Sequence, residues 1–263
     1  MFKTLNMKEN KLIKKIQRIK LSNYLYSEML ERLIRKHKLL SNFYEHIAIH
    51  STSRNTIKII QQEYLDRYKQ QKEESFNPDI NDDGSFEEDL FFEDMNSQEE
   101  YEYISENLLI TLIAGVIANL ENQLKEVIKM LMSRSKLDSR DKEELTKAIE
   151  TDNASNLLET LKVLDFLNLS SDKEIKTINE FRELVNAHKH GKGRASVKLA
   201  ESDSKKFVKK NDFLEIDPFY KDAGITATLD NLKELNKNID SIWETIRINN
   251  TAKQKKEIID GSL

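Results

Sequence analysis

The 263-residue chain contains no cysteine, 6 glycines and 2 prolines. The absence of cysteine excludes disulfides, cysteine zinc sites and thiol catalysis, and it fits a reducing compartment. The scarcity of glycine and proline leaves few sharp turns, which argues against a sheet of many strands. The longest apolar run, 108–120, is shorter than the about 20 residues that a membrane helix needs. Residues 1–20 lack the apolar core of a signal peptide. We therefore expect a cytoplasmic protein without a membrane span.

The composition, 38% hydrophobic and 33% charged, is typical of a helix-rich protein with a modest core. Apolar periodicity predicts an all-α fold with helices over 8–50, about 55–74, 101–133, two shorter segments within 139–169, 173–190 and 228–248. Ser139 and Asp152 are predicted to cap the two shorter helices. Residues 213–220 are predicted to form a short strand or extended segment, and the polar tail from Asn249 is expected to fray.

Charge divides the chain unevenly. Basic residues outnumber acidic ones by more than two to one over 1–72, whereas 73–124 contains no lysine or arginine. One interpretation is a nucleic-acid surface beside an acidic masking or partner-binding segment, and the other is two solvated stretches that attract each other. We divide the chain into a basic helical arm (1–75), an acidic linker or loop (76–100), a helical domain (101–248) and a flexible tail (249–263).

The acidic segment partly matches a calcium-binding loop. Asp79, Asn81, Asp83 and Gly84 stand at the positions that such a loop requires. The twelfth position, where a bidentate glutamate is needed, is Leu90. We therefore interpret this segment as an acidic surface loop and predict no metal site.

The most informative stretch is FRELVNAHKHGKGR, residues 181–194. At about 100° per residue, Asn186, Lys189 and His190 fall on the same helical face as Arg182. His188 instead falls in the apolar stripe of the helix, which predicts a core histidine. Geometry therefore favours His190 as the partner of Arg182.

These residue types are able to cleave RNA without a metal. A histidine titrates near neutral pH and serves as general base or acid, and Arg182 is suited to hold phosphate oxygens. Asn186 can orient the histidine or bind a ribose hydroxyl. Further positive charge comes from three RNA-binding candidates, Lys189, Lys192 and Arg194. The alternative is an ordinary helix with a basic last turn and Gly191 as its cap.

The same residues resemble the HEPN superfamily. Arg182 and His188, with five residues between them, match its general Arg-to-His spacing. The combination of Arg182, Asn186, Lys189, His190, Gly191 and Gly193 is similar to a bacterial branch of that superfamily. The two alignments name different histidines, so both stay candidates. Glu121, on the long helix, is similar to an acidic residue that often supports the active site in such proteins. The resemblance covers roughly residues 100–248.

The resemblance implies a HEPN-like antiparallel helical bundle, here with an added N-terminal helical arm. It implies a metal-independent endoribonuclease that needs no cofactor, leaves 2′,3′-cyclic phosphate ends and forms a homodimer with a composite site. Such proteins act in bacterial antiphage defence or toxin–antitoxin systems, so the acidic segment is expected to take a partner protein or antitoxin. The alternative function is a catalytically silent RNA- or protein-binding adaptor. A second catalytic site at Arg32 and His37 is disfavoured, because the residues around them have the pattern of a basic helix surface.

Overall fold

The computed structural model describes residues 11–19, 21–22, 24–51, 85–190, 207 and 225–260, together with 59, 62–63, 66–67 and 69–70. Residues 11, 18, 85–104, 190 and 260 are described as backbone only. In chain order the helices are α1 (Lys11–Arg18), α2 (Ser27–Ser51), α3 (Ser85–Ser133), α4 (Ser139–Thr151), α5 (Ala154–Val163), a short 3-10 helix (Leu169–Ser171), α6 (Asp172–His190) and α7 (Leu229–Asp260). These ranges contain no β-strand, so the predicted all-α class is confirmed for the described part of the chain.

Four long helices, α2, α3, α6 and α7, form an antiparallel bundle. Helices α2 and α6 each contact both α3 and α7, and α3 also contacts α7. Helices α2 and α6 therefore lie on opposite sides of the α3–α7 pair. Helix α2 runs antiparallel to α7, since Asn250 bonds to Leu25 and Asn236 bonds to Glu45.

The apolar stripe of α3 supplies the centre of the core. The side chains of Ile113, Leu120, Leu124, Val127 and Ile128 are all inaccessible to solvent, as the helical periodicity predicts. Burying each such side chain is worth about 1.5–3 kcal/mol. Helices α4 and α5 pack against the C-terminal half of α3, and α1 packs against α4 and α5. Leu12 and Ile16 of α1 join the same core. The described part of the predicted basic arm is thus built into the bundle.

The predicted helix over 8–50 is interrupted between Arg18 and Ser27. Here backbone amides donate to side chains from distant segments rather than to helical carbonyls. The Ser22 amide donates to the Ser135 hydroxyl at 2.7 Å, and the Leu25 amide donates to Asn250 at 2.6 Å. The helix ends at Ser51, where a break was predicted. The predicted helix over 55–74 lies largely outside the described residues, and its described positions are helical.

Two other predictions were wrong about where helices begin and end. Residues 85–100, predicted as an acidic loop, are the first turns of α3, because no glycine or proline interrupts 85–114. The tail predicted to fray is helical to Asp260. Its side chains bond to distant backbone: Asn249 Nδ2 donates to the Phe166 carbonyl, and Lys253 Nζ donates to that of Leu164.

The predicted caps are each displaced by one residue. Asp138 caps α4 by accepting a hydrogen bond from the Asp141 amide, and Asn153 caps α5 through the amide of Asn156. Each true cap adjoins its predicted one, Ser139 or Asp152, and all four residue types suit the role. The strand predicted over 213–220 lies outside the described residues.

Candidate functional site

A cleft of about 220 Å³ separates α3 from α6. Helix α6 lines it with Arg182, Asn186 and Lys189, at the i, i+4 and i+7 positions of a single face. Three of the four residues predicted to share this face therefore lie together. The remaining lining residues are Ala114, Ile117, Ala118, Glu121 and Val185.

The cleft exists because α3 presents small side chains to α6 at this level. Ala114 and Ala118 are one turn apart and lie opposite the polar face of α6. The sequence reasoning missed their part in the site, since alanines within an apolar run are usually assigned to the core. Two alanines spaced i, i+4 in an otherwise large-residue stripe were the available signal.

Glu121 joins three helices at this cleft. Its Oε1 atom accepts a hydrogen bond of 3.0 Å from the Ala154 amide, the first amide of α5. A carboxylate is favourable there because the N-terminal amides of a helix carry partial positive charge and lack helical partners. The same oxygen lies 3.9 Å from Arg182 Nε. Glu121 therefore lies beside the arginine that the sequence pattern singled out.

The Arg182–Glu121 contact is loose. Its length exceeds a hydrogen bond, and the two side chains retain 21% and 27% of their exposure. A pair of this kind contributes at most about 1 kcal/mol. Arg182 is therefore oriented by Glu121 yet keeps guanidinium donors available to an anion that enters the cleft.

His188 does not lie in the core. Its side chain is exposed, whereas Phe181 and Leu184 on the same face are fully buried. The prediction of a core histidine was wrong, although Ala187, the residue before His188, is fully buried. His188 also does not line the cleft.

His190 is the last residue of α6, one turn beyond Asn186. The described backbone thus places it eight residues after Arg182, in the register expected for the polar face. The two other predicted RNA-binding residues, Lys192 and Arg194, and the glycines between them lie outside the described residues.

The disfavoured Arg32 and His37 pair does not form a site. Arg32 is exposed on α2, whereas His37 is 1% exposed and faces α7. Its Nε2 atom lies 3.3 Å from the Ser41 hydroxyl and 3.5 Å from Asp240 Oδ1. Burial, with a smaller effect of Lys38, lowers the pKa of His37 to about 4. The ring is neutral at pH 7, so its contact with Asp240 is not an ion pair there.

Among the described residues, no group of three or more histidine, aspartate or glutamate side chains is placed to hold a metal ion. The apolar stretch Ser105–Ser133 of α3 is the one described segment that passes a length and composition test for a membrane span. Half of its most apolar window is buried inside the protein, and core helices pass the same test, so the finding is weak evidence.

No protein family, curated protein or solved structure matches the chain. The cleft between α3 and α6 is therefore the feature from which a function can be inferred.

Proposed function

We propose that the protein is a metal-independent endoribonuclease of the HEPN type. The observation that carries the proposal is the convergence of Arg182, Asn186 and Lys189 on one cleft, with Glu121 behind the arginine. The cleft holds two cations and one carboxylate, so it favours an anion such as a phosphodiester. We further propose that α3, α6 and α7 belong to a HEPN-like core, to which the N-terminal arm with α1 and α2 is an addition that completes the bundle.

In this mechanism Arg182 binds the non-bridging oxygens of the scissile phosphate and stabilises the charge that grows on them during attack. Lys189, one to two turns further along the cleft, adds positive charge. Asn186 lies between them and is suited to bind a ribose hydroxyl or to orient the catalytic histidine. Glu121 holds the arginine in place rather than contacting RNA, because its carboxylate already bonds to α5.

We assign the acid–base role to His190. A neutral imidazole removes the 2′-hydroxyl proton, the 2′-oxygen bonds to phosphorus, and the bond from phosphorus to the 5′-oxygen breaks. The departing 5′-oxygen takes up a proton, and the 2′,3′-cyclic phosphate remains on the upstream fragment. Every proton is accounted for by the histidine and water, and the scheme uses neither metal nor cofactor.

His188, exposed and outside the cleft, enters this scheme in a different way. If two copies of the chain bring their α6 helices together, His188 of one copy can face the cleft of the other. We propose such a homodimer, acting in the cytoplasm in bacterial antiphage defence or a toxin–antitoxin system. A partner protein or antitoxin would bind at the acidic segment.

The test is incubation of the purified protein with total RNA in EDTA, beside an Arg182→Ala/His190→Ala variant. We expect fragments with cyclic-phosphate ends from the wild type alone. The single variants His188→Ala and His190→Ala then serve as matched controls for each other. We expect His190→Ala to lose RNA cleavage. Equal cleavage by wild type and double variant would refute the proposal. No cleavage by either would favour the adaptor function.

A further inference from the structure

Helix α2 carries an exposed strip of basic and aromatic residues far from the cleft. Arg32, Arg35, Lys36, Phe43, His46 and His50 are all exposed. At about 100° per residue they share a sector roughly 100° wide, and the strip is about 27 Å long. We call these six residues the α2 strip.

In the described part of the chain, no ion pair joins the cations of the α2 strip to an acid, although Glu28 and Glu31 lie one turn before Arg32 and Arg35. Among the described residues, Arg32, Arg35 and Lys36 have no carboxylate within ion-pair distance. Some exposed cations elsewhere do: Lys147 pairs with Glu143 at 2.6 Å, and Arg247 pairs with Glu244 at 2.7 Å. The strip thus holds three cations within five residues, none of them in an ion pair with a described residue.

The one acidic residue of α2 beyond Arg32 is directed away from the strip. Glu45 accepts a hydrogen bond of 2.6 Å from Asn236 of α7, and this contact turns its carboxylate toward the bundle. No acidic side chain of α2 therefore lies within the sector of the strip after Arg32.

The strip also offers flat rings to solvent. Phe43 is 56% exposed, next to Leu39, which is 71% exposed one turn earlier. The rings of His46 and His50 meet edge to face, with centroids 4.3 Å apart. Exposed rings on the same helical face as unpaired cations are features that bind single-stranded nucleic acid, since bases stack on the rings and phosphates contact the cations.

We propose that the α2 strip is a separate binding surface for single-stranded RNA. This inference rests on the proposed function for its choice of RNA. Because α2 and α6 lie on opposite sides of the α3–α7 pair, the strip does not belong to the cleavage cleft. It holds a part of the RNA strand away from the scissile phosphate, so it contributes to affinity rather than to the chemical step.

The test is fluorescence anisotropy with labelled 2′-O-methyl single-stranded RNA of about 12 nucleotides, which cannot be cleaved. The variant is Arg32→Gln/Arg35→Gln/Lys36→Gln, and the matched control is Arg140→Gln/Lys142→Gln/Lys147→Gln, which removes the same charge from the exposed face of α4. If each strip cation contacts one phosphate, affinity falls roughly fiftyfold at 0.15 M salt, and the salt dependence of log K weakens by about 2.

The control variant is expected to bind within about threefold of the wild type, and Phe43→Ala to lose about fivefold or more. Circular dichroism establishes that each variant is folded. Equal weakening by both triple variants, or unchanged binding by the α2 variant, would overturn the proposal. A changed oligomeric state with unchanged RNA binding would also overturn it and would identify a protein interface.

These outcomes are independent of the cleavage assay. A protein that binds RNA through the α2 strip but does not cleave it would refute the proposed function and keep this inference. A protein that cleaves RNA while the α2 variant binds normally would refute this inference alone.

Discussion

The buried histidine at the α2–α7 interface should make the protein sensitive to mild acid. His37 is 1% exposed, and its Nδ1 atom has no hydrogen-bond partner among the described residues. Burial lowers its pKa from 6.5 to about 4 in the folded protein. Between these two values the unfolded chain binds a proton that the folded protein does not. Stability is therefore full above pH 6.5 and is lost as the pH falls toward 4.

The magnitude follows from the two pKa values. At about pH 5 the unfolded histidine is largely protonated and the folded one is largely neutral, which costs about 2 kcal/mol of unfolding free energy relative to pH 7.5. Asp240 opposes this trend, because burial raises its pKa and the folded protein then gains a proton earlier than the unfolded chain. A variant is needed to isolate the contribution of His37.

The assay is urea unfolding followed by circular dichroism at about pH 7.5 and about pH 5, for wild type and His37→Gln. Glutamine can still reach Ser41 and Asp240 but does not titrate. We expect the wild type to lose about 2 kcal/mol more than the variant between the two pH values. The reasoning is refuted if both proteins lose the same amount.

Two further changes test the packing around the site and the α7 extension. Glu121→Ala should cost about 1 kcal/mol in thermal or urea unfolding, because the Ala154 amide loses its acceptor. Glu121→Gln keeps an acceptor and should cost less, so equal losses would contradict the assigned bond. Asn250→Ala should cost about 2–3 kcal/mol, because this buried amide bonds to both the amide and the carbonyl of Leu25. Asn122→Ala, exposed on α3, is the control, and a similar loss there would show that the two bonds are unimportant.

Periodicity predicted the parts of the fold that depend on local pattern. The stripe from Leu109 to Leu131 on α3 is buried, because a helix with a continuous apolar face can be stabilised only by covering that face. The same periodicity placed Arg182, Asn186 and Lys189 on one side of α6. That arrangement follows from helical geometry alone and does not depend on neighbouring segments.

The parts that sequence reasoning missed depend on contacts between distant segments. Asn249 and Asn250 were predicted to belong to a fraying polar tail. Their side-chain amides instead donate to the backbone carbonyls of Phe166 and Leu25 and so hold α7 in place. His188 has the position of a core residue within its helix, yet its side chain is exposed while that of the preceding Ala187 is fully buried. Which side chains are covered at the end of a helix depends on the segments packed there, and the helical pattern contains no information about those segments.

The cleft itself could be predicted only in part. Its α6 side was identified from the residue types and their spacing. Its α3 side depends on which turn of α3 lies opposite Arg182, and that register is set by packing along the whole bundle. Glu121 was identified from the resemblance, whereas its bond to the first amide of α5 required the structure.

The most direct test of the central claim is the cleavage rate of a defined single-stranded RNA in EDTA by wild type, Arg182→Lys, Arg182→Ala and the exposed-surface control Arg140→Ala. The account predicts cyclic-phosphate products from the wild type and the control, and a rate lowered by about 100-fold or more in Arg182→Ala. It predicts an intermediate loss of cleavage rate in Arg182→Lys, because lysine keeps the positive charge but cannot form bidentate hydrogen bonds to the phosphate. Wild-type rates in a folded Arg182→Ala protein would contradict the account.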